Sequence, residues 1–251
     1  MERKMQILWH DSLDSTNNEA ARRIESLADL SVIAAVEQYS GRGQRGNVWH
    51  SSPGDNLTFS IVLKGNGSLA ALPVTSQFDI SRLSTLAVHG FLAKEGIDAK
   101  IKWPNDIYVG NRKICGMLIE NSLSGAKISW SIIGIGLNLN QKDFPPQLMN
   151  PTSLTLQTGR RYSLESGLED FCVIFSSLLP LLKDMEGRKK LDGMYSEHLY
   201  RRGEWHEFRD LRTEEVFRGK IDGVTKEGLL KAVTLAGQRK EFNFKEIGYI
   251  I

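Results

Sequence analysis

The stretch S-W-S-I-I-G-I-G-L-N-L-N, residues 129–140, alternates between two kinds of side chain, as a half-buried β-strand does. One face, which we expect to pack into a core, carries Ser131, Ile133, Ile135, Leu137 and Leu139. The opposite face carries Trp130, Ile132, Gly134, Gly136, Asn138 and Asn140. Glycine weakens a strand interior, so two glycines at alternate positions predict that something approaches the backbone closely. A packed helix or strand would explain them, whereas the asparagines that follow favour a polar ligand.

A second predicted strand, R-K-I-C-G-M-L-I-E (112–120), has a charged residue at the start of its apolar face. By simple alternation, Lys113 lies on the same face as Cys115, Met117 and Ile119. A lysine at such a position is costly unless its ammonium group reaches solvent from the strand end or meets an anion. The sequence leaves both interpretations open.

The segment K-W-P-N-D (102–106) lies just upstream of that strand. It places Lys102 and Asp106 on either side of a turn that the Pro-Asn pair favours. A surface ion pair between these two residues is the alternative to a role in binding.

The stretch S-G-R-G-Q-R-G-N-V-W-H-S-S-P-G (40–54) contains Arg42 and Arg45 among glycines and has no carboxylate. It is either a solvated hairpin or a mobile loop that closes on an anion. Together with Lys102 and Lys113, the arginines indicate a phosphate-bearing ligand. The glycine spacing matches neither a P-loop nor the dinucleotide-binding fingerprint.

The periodicity of the chain predicts two structural units. Residues 1–203 are predicted to form an α+β domain, which includes an amphipathic helix over 15–28 with Thr16 and Glu19 as its capping box. In residues 204–251, short strand-like segments alternate with turn signals, which predicts a small β-barrel.

Composition excludes several classes of protein. The net charge of +2 gives no electrostatic reason to expect binding to nucleic acid. Cys115 and Cys172 lie far apart in apolar surroundings, so we expect free thiols in a reducing cytoplasm and no zinc site. The sequence begins without a secretory signal and has no apolar run long enough to cross a bilayer, so no membrane association is expected.

Five motifs occur in an order that resembles the biotin–protein ligases. They are D-S-T-N (14–17), G-R-G-Q-R-G-N-V-W (41–49), K-W-P-N-D (102–106), R-K-I-C-G-M-L-I-E (112–120) and G-I-G-L-N (134–138). The resemblance covers most of the first unit and, more loosely, the C-terminal one.

The resemblance implies a fold and a reaction. The fold is a mixed-sheet α+β catalytic domain distantly akin to class II aminoacyl-tRNA synthetases, followed by an SH3-like β-barrel. In the reaction, biotin and Mg²⁺-ATP give biotinyl-5′-AMP and pyrophosphate. A lysine of a biotin carboxyl carrier protein then attacks the mixed anhydride and releases AMP.

Site residues follow from the resemblance motif by motif. Lys113 would hold the biotin carboxylate and the phosphate, Arg42 would lie in the closing loop, and Asp106 would position the acceptor lysine. The implied biotin-binding residues are Ser15, Thr16, Asn17, Gln38, Arg42, Gly43, Gln44, Lys113, Gly116 and Gly134. The implied nucleotide-binding residues are Arg45, Trp49, Lys102 and Asn138.

Two departures from the family pattern affect these expectations. Gln44 stands where family members often carry arginine, so either Gln44 or Arg45 would retain the adenylate. The first motif begins at residue 14, so we expect a ligase-only protein without an N-terminal DNA-binding domain. The sequence does not specify whether a homodimer forms.

Two other functions compete with this interpretation. A lipoate–protein ligase or octanoyl transferase would share the fold class. A non-catalytic nucleic-acid-binding module would use the β-barrel and basic clusters such as Arg188–Lys190, although no aromatic residues interleave with those clusters.

Overall fold

The computed structural model describes residues 5–250, apart from the side chain of Arg45. A seven-stranded sheet dominates the N-terminal part. Its strands are β1 (Gln6–Leu13), β2 (Ser31–Gln38), β3 (Leu57–Lys64), β4 (Ala99–Lys102), β5 (Asp106–Val109), β6 (Arg112–Ser124) and β7 (Lys127–Leu137). Their order is β1-β2-β3-β7-β6-β5-β4, with β1 and β2 parallel and the other neighbours antiparallel.

Helices cover both faces of this sheet. They are α1 (Thr16–Arg22), α2 (Phe78–Lys94), α3 (Leu154–Thr158), α4 (Leu164–Leu178) and α5 (Met185–Glu197). The main core lies under α2 and α4, where the rings of Phe59 and Phe171 meet edge to face at 5.0 Å. A smaller cluster around Ala20 and Ile132 lies on the opposite face, under α1.

The alternation of residues 129–140 is confirmed along β7; beyond the strand, Asn140, which was expected on the ligand-facing side, is instead buried and hydrogen-bonded to Tyr162 and Thr155. Ile133, Ile135 and Leu137 of β7 are buried in the main core, whereas Ile132 belongs to the smaller cluster on the other face. The main core therefore occupies one side of the sheet. The other side, at the level of Gly134 and Gly136, remains for α1 and the cleft described below.

The C-terminal part forms a separate antiparallel sheet of five strands. These are β8 (His206–Asp210), β9 (Glu215–Val224), β10 (Leu230–Thr234), β11 (Arg239–Phe242) and β12 (Ile247–Tyr249), in the order β11-β10-β9-β8-β12. The predicted fold class, α+β with a small C-terminal β unit, is confirmed. The division into domains at residue 203 stays a prediction.

One turn of the small sheet is fixed against the large domain. The indole Nε1 of Trp103 donates to the carbonyl of Gly228 at 2.9 Å, and Arg82 donates to the carbonyl of Thr225 at 2.9 Å. Gly228 has a positive φ of 101°, and a Cβ there would overlap the ring of Phe78. Only glycine fits this contact without strain.

The sequence prediction for α1 is partly wrong. The helix ends at Arg22, and Ser15 is its N-cap residue in place of Thr16. The Thr16 hydroxyl donates to Gln38 on β2, so it belongs to the cleft and takes no part in a capping box. Strand β1 and helix α3 were not predicted.

Candidate active site

A cleft of about 760 Å³ opens between the large sheet and the C-terminal sheet. It brings together every predicted site residue except Arg45, whose side chain is outside the described part of the chain. Those that line it are Ser15, Thr16, Asn17, Gln38, Arg42, Gly43, Gln44, Trp49, Lys102, Asp106, Lys113, Gly116, Gly134 and Asn138. Their individual roles stay predictions.

The floor of the cleft is made of glycines on neighbouring strands. Gly116 of β6 lies opposite Gly136 of β7, two residues along from Gly134. A Cβ at Gly134 would overlap the side-chain amide of Asn17, and one at Gly136 would overlap the indole of Trp49. The predicted close approach to the backbone is therefore confirmed, and in this structure it is made by two protein side chains.

The start of α1 supplies a buried polar wall. Gln38 accepts hydrogen bonds from the backbone N–H of Thr16 at 2.8 Å and from its hydroxyl at 3.2 Å. The hydroxyl of Ser60 lies 2.6 Å from Asn17 Oδ1 and 2.8 Å from Thr16 Oγ1. Ser15 is also buried, so the start of α1 presents a buried polar wall to the cleft, with Thr16 and Asn17 held by Gln38 and Ser60.

A β-bulge corrects the predicted orientation of Lys113. In the pairing of β5 with β6, Ile107 lies opposite Cys115 but Tyr108 lies opposite Lys113, so the strand gains a residue at this point. Cys115 faces the core, whereas the Lys113 side chain turns to the other face and lies over Gly116. Simple alternation assigned Lys113 to the wrong face, and the bulge delivers its ammonium group into the cleft.

Asp106 pairs with Lys113 and not with Lys102. Lys113 Nζ lies 2.8 Å from Asp106 Oδ2, and both side chains are about one-third exposed, 32% and 29%. The surface pair between Lys102 and Asp106 that the turn suggested is absent from the ion pairs of the described residues. The cleft thus holds a cation and a carboxylate in contact at the edge of its glycine floor.

Lys102 lies between two aromatic rings. Its ammonium nitrogen is 4.8 Å from the ring centre of Tyr108 and 4.9 Å from that of Tyr249, and it donates to the Tyr108 hydroxyl at 3.2 Å. Burial lowers the pKa of Lys102, although the negative charge of Asp106 acts to raise it. Because Tyr249 belongs to β12, the C-terminal sheet contributes directly to the lining of the cleft.

The glycine loop is anchored by side chains from the large sheet. Arg42 forms an ion pair with Glu120 of β6, with Nη2 and Oε1 2.8 Å apart. Gln44 donates to Asn105 Oδ1 at 2.6 Å and to the carbonyl of Met117 at 3.0 Å. The loop itself lacks a carboxylate, but the fold supplies one from a strand far away in the sequence.

Besides the hydroxyl of Tyr249, two polar atoms of the cleft are buried without a hydrogen-bond partner among the described residues. The indole Nε1 of Trp49 is buried without a hydrogen bond among the described residues. Asn138 donates through Nδ2 to the carbonyl of Thr152 at 2.9 Å, while its Oδ1 is likewise buried without a partner in this part of the chain. A buried polar atom without a partner is costly, so both atoms indicate a polar ligand.

Several lining or anchoring residues were missed by sequence reasoning, namely Ser60, Trp103, Asn105, Glu120, Phe244 and Tyr249. A signal for Glu120 was present, because it follows Gly116 and Leu118 at alternate positions on the site-facing side of β6. Phe244 and Tyr249 carried no comparable signal, since only the docking of the second sheet brings them to the cleft.

Among residues 5–250, no group of three or more His, Cys, Asp or Glu side chains is arranged to hold a metal ion. No helix in this range is long and apolar enough to cross a membrane.

Residues 9–138 match the biotin/lipoate A/B protein ligase family. The chain belongs to this family. The match begins in β1 and continues to Asn138, so it contains the glycine floor, the glycine loop and the ion pair of Lys113 with Asp106. The C-terminal sheet lies outside it.

Curated relatives of the family extend the comparison. The bifunctional ligase/repressor BirA of Bacillus subtilis is 31% identical over 174 residues, which are 67% of this chain and 52% of that protein. The same protein of Bacillus spizizenii is 28% identical over 94% of this chain and 72% of its own length. The biotin–[acetyl-CoA-carboxylase] ligase of Paracoccus denitrificans is 31% identical over 62% of this chain and 65% of that protein. The chain thus spans about half of the first relative.

A solved structure covers both sheets. The biotin protein ligase of Aquifex aeolicus, in complex with biotin and ATP, has a TM-score of 0.78 and 26% sequence identity, over 97% of each chain. The similarity therefore includes the C-terminal sheet that the family match leaves out.

Proposed function

We propose that this protein is an ATP-dependent biotin–protein ligase that forms biotinyl-5′-AMP and transfers biotin to a lysine of a biotin carboxyl carrier protein. The observation that carries the proposal is the placement of Lys113. A bulge turns its ammonium group over a glycine floor, inside a cleft that also contains the polar wall of α1 and the glycine loop. The Aquifex aeolicus relative, which holds biotin and ATP, supports the choice of ligands.

The cleft suits the first half-reaction. A carboxylate must approach the α-phosphate of ATP, and two anions repel each other unless fixed cations lie beside them. Lys113 supplies a compact charge that can follow the negative charge from carboxylate to phosphate. The wall of Ser15, Thr16, Asn17 and Gln38 lines the cleft with hydroxyl and amide groups, which are of the kind that can hydrogen-bond to the polar ring of biotin.

The nucleotide lies on the other side of the floor in this proposal. Asn138 and Trp49 each leave a buried polar atom for it, and Lys102 lies at the C-terminal edge of the cleft. Among the described residues that line the cleft, Asp106 is the one carboxylate, so a magnesium ion bound with ATP would take most of its ligands from phosphate and water and would neutralise phosphate charge. We assign Arg45 to the same region because of its place in the loop.

The second half-reaction needs a neutral amine. A free lysine has a pKa of about 10.4, so the acceptor lysine must lose a proton or be held by an anion near the anhydride. Asp106 is the carboxylate closest to Lys113, at 2.8 Å. It would position the acceptor amine and receive its proton.

The test is isotope exchange between pyrophosphate and ATP in the purified protein. Exchange that requires biotin, and that lipoate and octanoate do not support, is the expected result. Exchange driven by lipoate alone would instead indicate a lipoate ligase of the same family. Transfer is then checked by mass spectrometry of a carrier domain, in which a single lysine should gain biotin.

A further inference from the structure

Glu120 lies on the site-facing side of β6, where the glycine loop meets the first turn of α1. Its Oε1 accepts a hydrogen bond from Arg42 Nη2 at 2.8 Å, and its Oε2 accepts one from Asn17 Nδ2 at 2.7 Å. Arg42 Nη1 lies 3.3 Å from the same Oε2. A single carboxylate therefore connects the loop with the polar wall of the cleft.

Both partners of Glu120 are fixed by further contacts. Arg42 Nη1 donates to Asn18 Oδ1 at 2.8 Å, next along α1. The Asn17 amide donates to the carbonyl of Leu118 at 3.2 Å and packs on Gly134 with no space for a Cβ between them. A change at Glu120 therefore removes one contact of the loop and one contact of the wall.

Arg42 retains a donor for a ligand while it is paired. Glu120 and Asn18 engage Nη1 and Nη2, and Nε has no hydrogen-bond partner among the described residues. A guanidinium group has five N–H donors in a fixed fork, so Arg42 can contact a bound anion without leaving Glu120. The ion pair is compatible with binding and does not compete with it.

We propose that Glu120 is a positioning residue, which holds Arg42 and Asn17 in their binding arrangement before the ligand arrives. It acts through these two residues and does not touch the reacting atoms. Holding the loop in advance reduces the entropy that binding must remove, so affinity rises while the chemical step is unchanged. The inference rests on the proposed function, because that function assigns Asn17 to biotin and the family resemblance implies the same for Arg42.

The test is Glu120→Gln, which keeps the side-chain shape and removes its charge. In the exchange assay we expect the KM for biotin to rise about tenfold, the usual worth of hydrogen bonds to a charged group, with kcat within about twofold of wild type. In the ligand-free protein, subtilisin should cut residues 41–54 about three to five times faster, because a half-exposed ion pair is lost. Glu120→Asp keeps the charge, so its KM for biotin and its loop cleavage rate should lie between those of wild type and Glu120→Gln.

Two controls separate positioning from general destabilisation. Glu95→Gln removes an ion pair of similar length, 2.7 Å to Arg160, outside the cleft, and should change neither KM nor loop cleavage. In an Arg42→Ala background, Glu120→Gln should add nothing to the loop cleavage rate, because its loop partner is already gone.

Three outcomes overturn the inference. One is a Glu120→Gln protein with unchanged KM and unchanged cleavage, while wild type shows biotin-dependent exchange. Another is a loss of kcat with KM unchanged, which would place Glu120 on the reacting atoms. The third is tighter biotin binding, which would make the ion pair inhibitory. If wild type shows no exchange with biotin, the proposed function fails, while the cleavage comparison still tests the contact between Glu120 and Arg42.

Discussion

Replacing Lys113 by alanine should abolish most adenylate formation and leave the fold intact. The side chain is one-third exposed and its only described ion pair, with Asp106 at 2.8 Å, is also partly exposed. Such pairs contribute about 0.2–1 kcal/mol to the free energy of unfolding. The loss of a fixed charge at the reacting centre costs far more, about 10²–10³-fold in rate by analogy with a lost oxyanion-hole donor. Activity and stability should therefore separate clearly in this variant.

The assay is pyrophosphate–ATP exchange at saturating biotin, run beside urea denaturation of the same protein. Lys94→Ala is the matched control, because Lys94 forms a 2.8 Å ion pair with Asp170 on the helical face of the molecule. Lys94→Ala should lose no more stability than Lys113→Ala and should keep its full activity. The reasoning is refuted if Lys113→Ala exchanges at a near-normal rate, or if it unfolds, since either result would make Lys113 a structural residue.

Three further predictions follow from the cleft and from one histidine pair. Asp106→Asn should slow transfer from preformed biotinyl-5′-AMP more than it slows exchange; equal slowing in single-turnover assays of both steps would place Asp106 on ATP or magnesium. Arg45→Gly should make adenylate but release it, which is measured as biotin on lysines of bystander albumin; no increase over wild type contradicts it. Stability should fall between about pH 6.5 and pH 4, because burial lowers the pKa of His89 to about 4 and also lowers that of His198, whose ring stacks on it at 3.8 Å. In this window the unfolded chain protonates His89 whereas the folded protein does not, so the urea midpoint should drop less in His89→Gln, and an equal drop would be contrary evidence.

Local patterns were sufficient to predict much of the fold. The alternation of residues 129–140 identified both faces of β7, because a strand has a fixed period of two. Helix α1 was predicted too long because the apolar spacing continues to Ala28, although the hydrogen-bonded helix ends at Arg22. The apolar face nevertheless continues past the helix, because Ile24 and Leu27 pack in the same small cluster as Ala20.

The bulge beside Lys113 shows where such patterns stop being informative. No glycine or proline marks the bulge. Alternation counted back from Cys115 therefore assigns the residues before the bulge to the wrong face of the sheet. The family resemblance placed Lys113 in the cleft when simple alternation did not. Contacts such as the one between Arg42 and Glu120 are harder still, because they join residues 78 positions apart in the sequence.

The sequence pattern predicted a close approach to the glycines of the floor, but it did not identify which groups make that approach. Gly134 and Gly136 indicated that something lies against the strand, and a Cβ at either position would indeed overlap a neighbour. The neighbours are the Asn17 amide and the Trp49 indole, so the glycines first serve to admit the protein's own side chains. Yet Trp49 brings a buried N–H without a partner to this floor, and Asn138 adds an unpaired oxygen. Buried polar atoms are usually hydrogen-bonded, so the glycines and these two unpaired atoms together favour a site that binds a polar ligand.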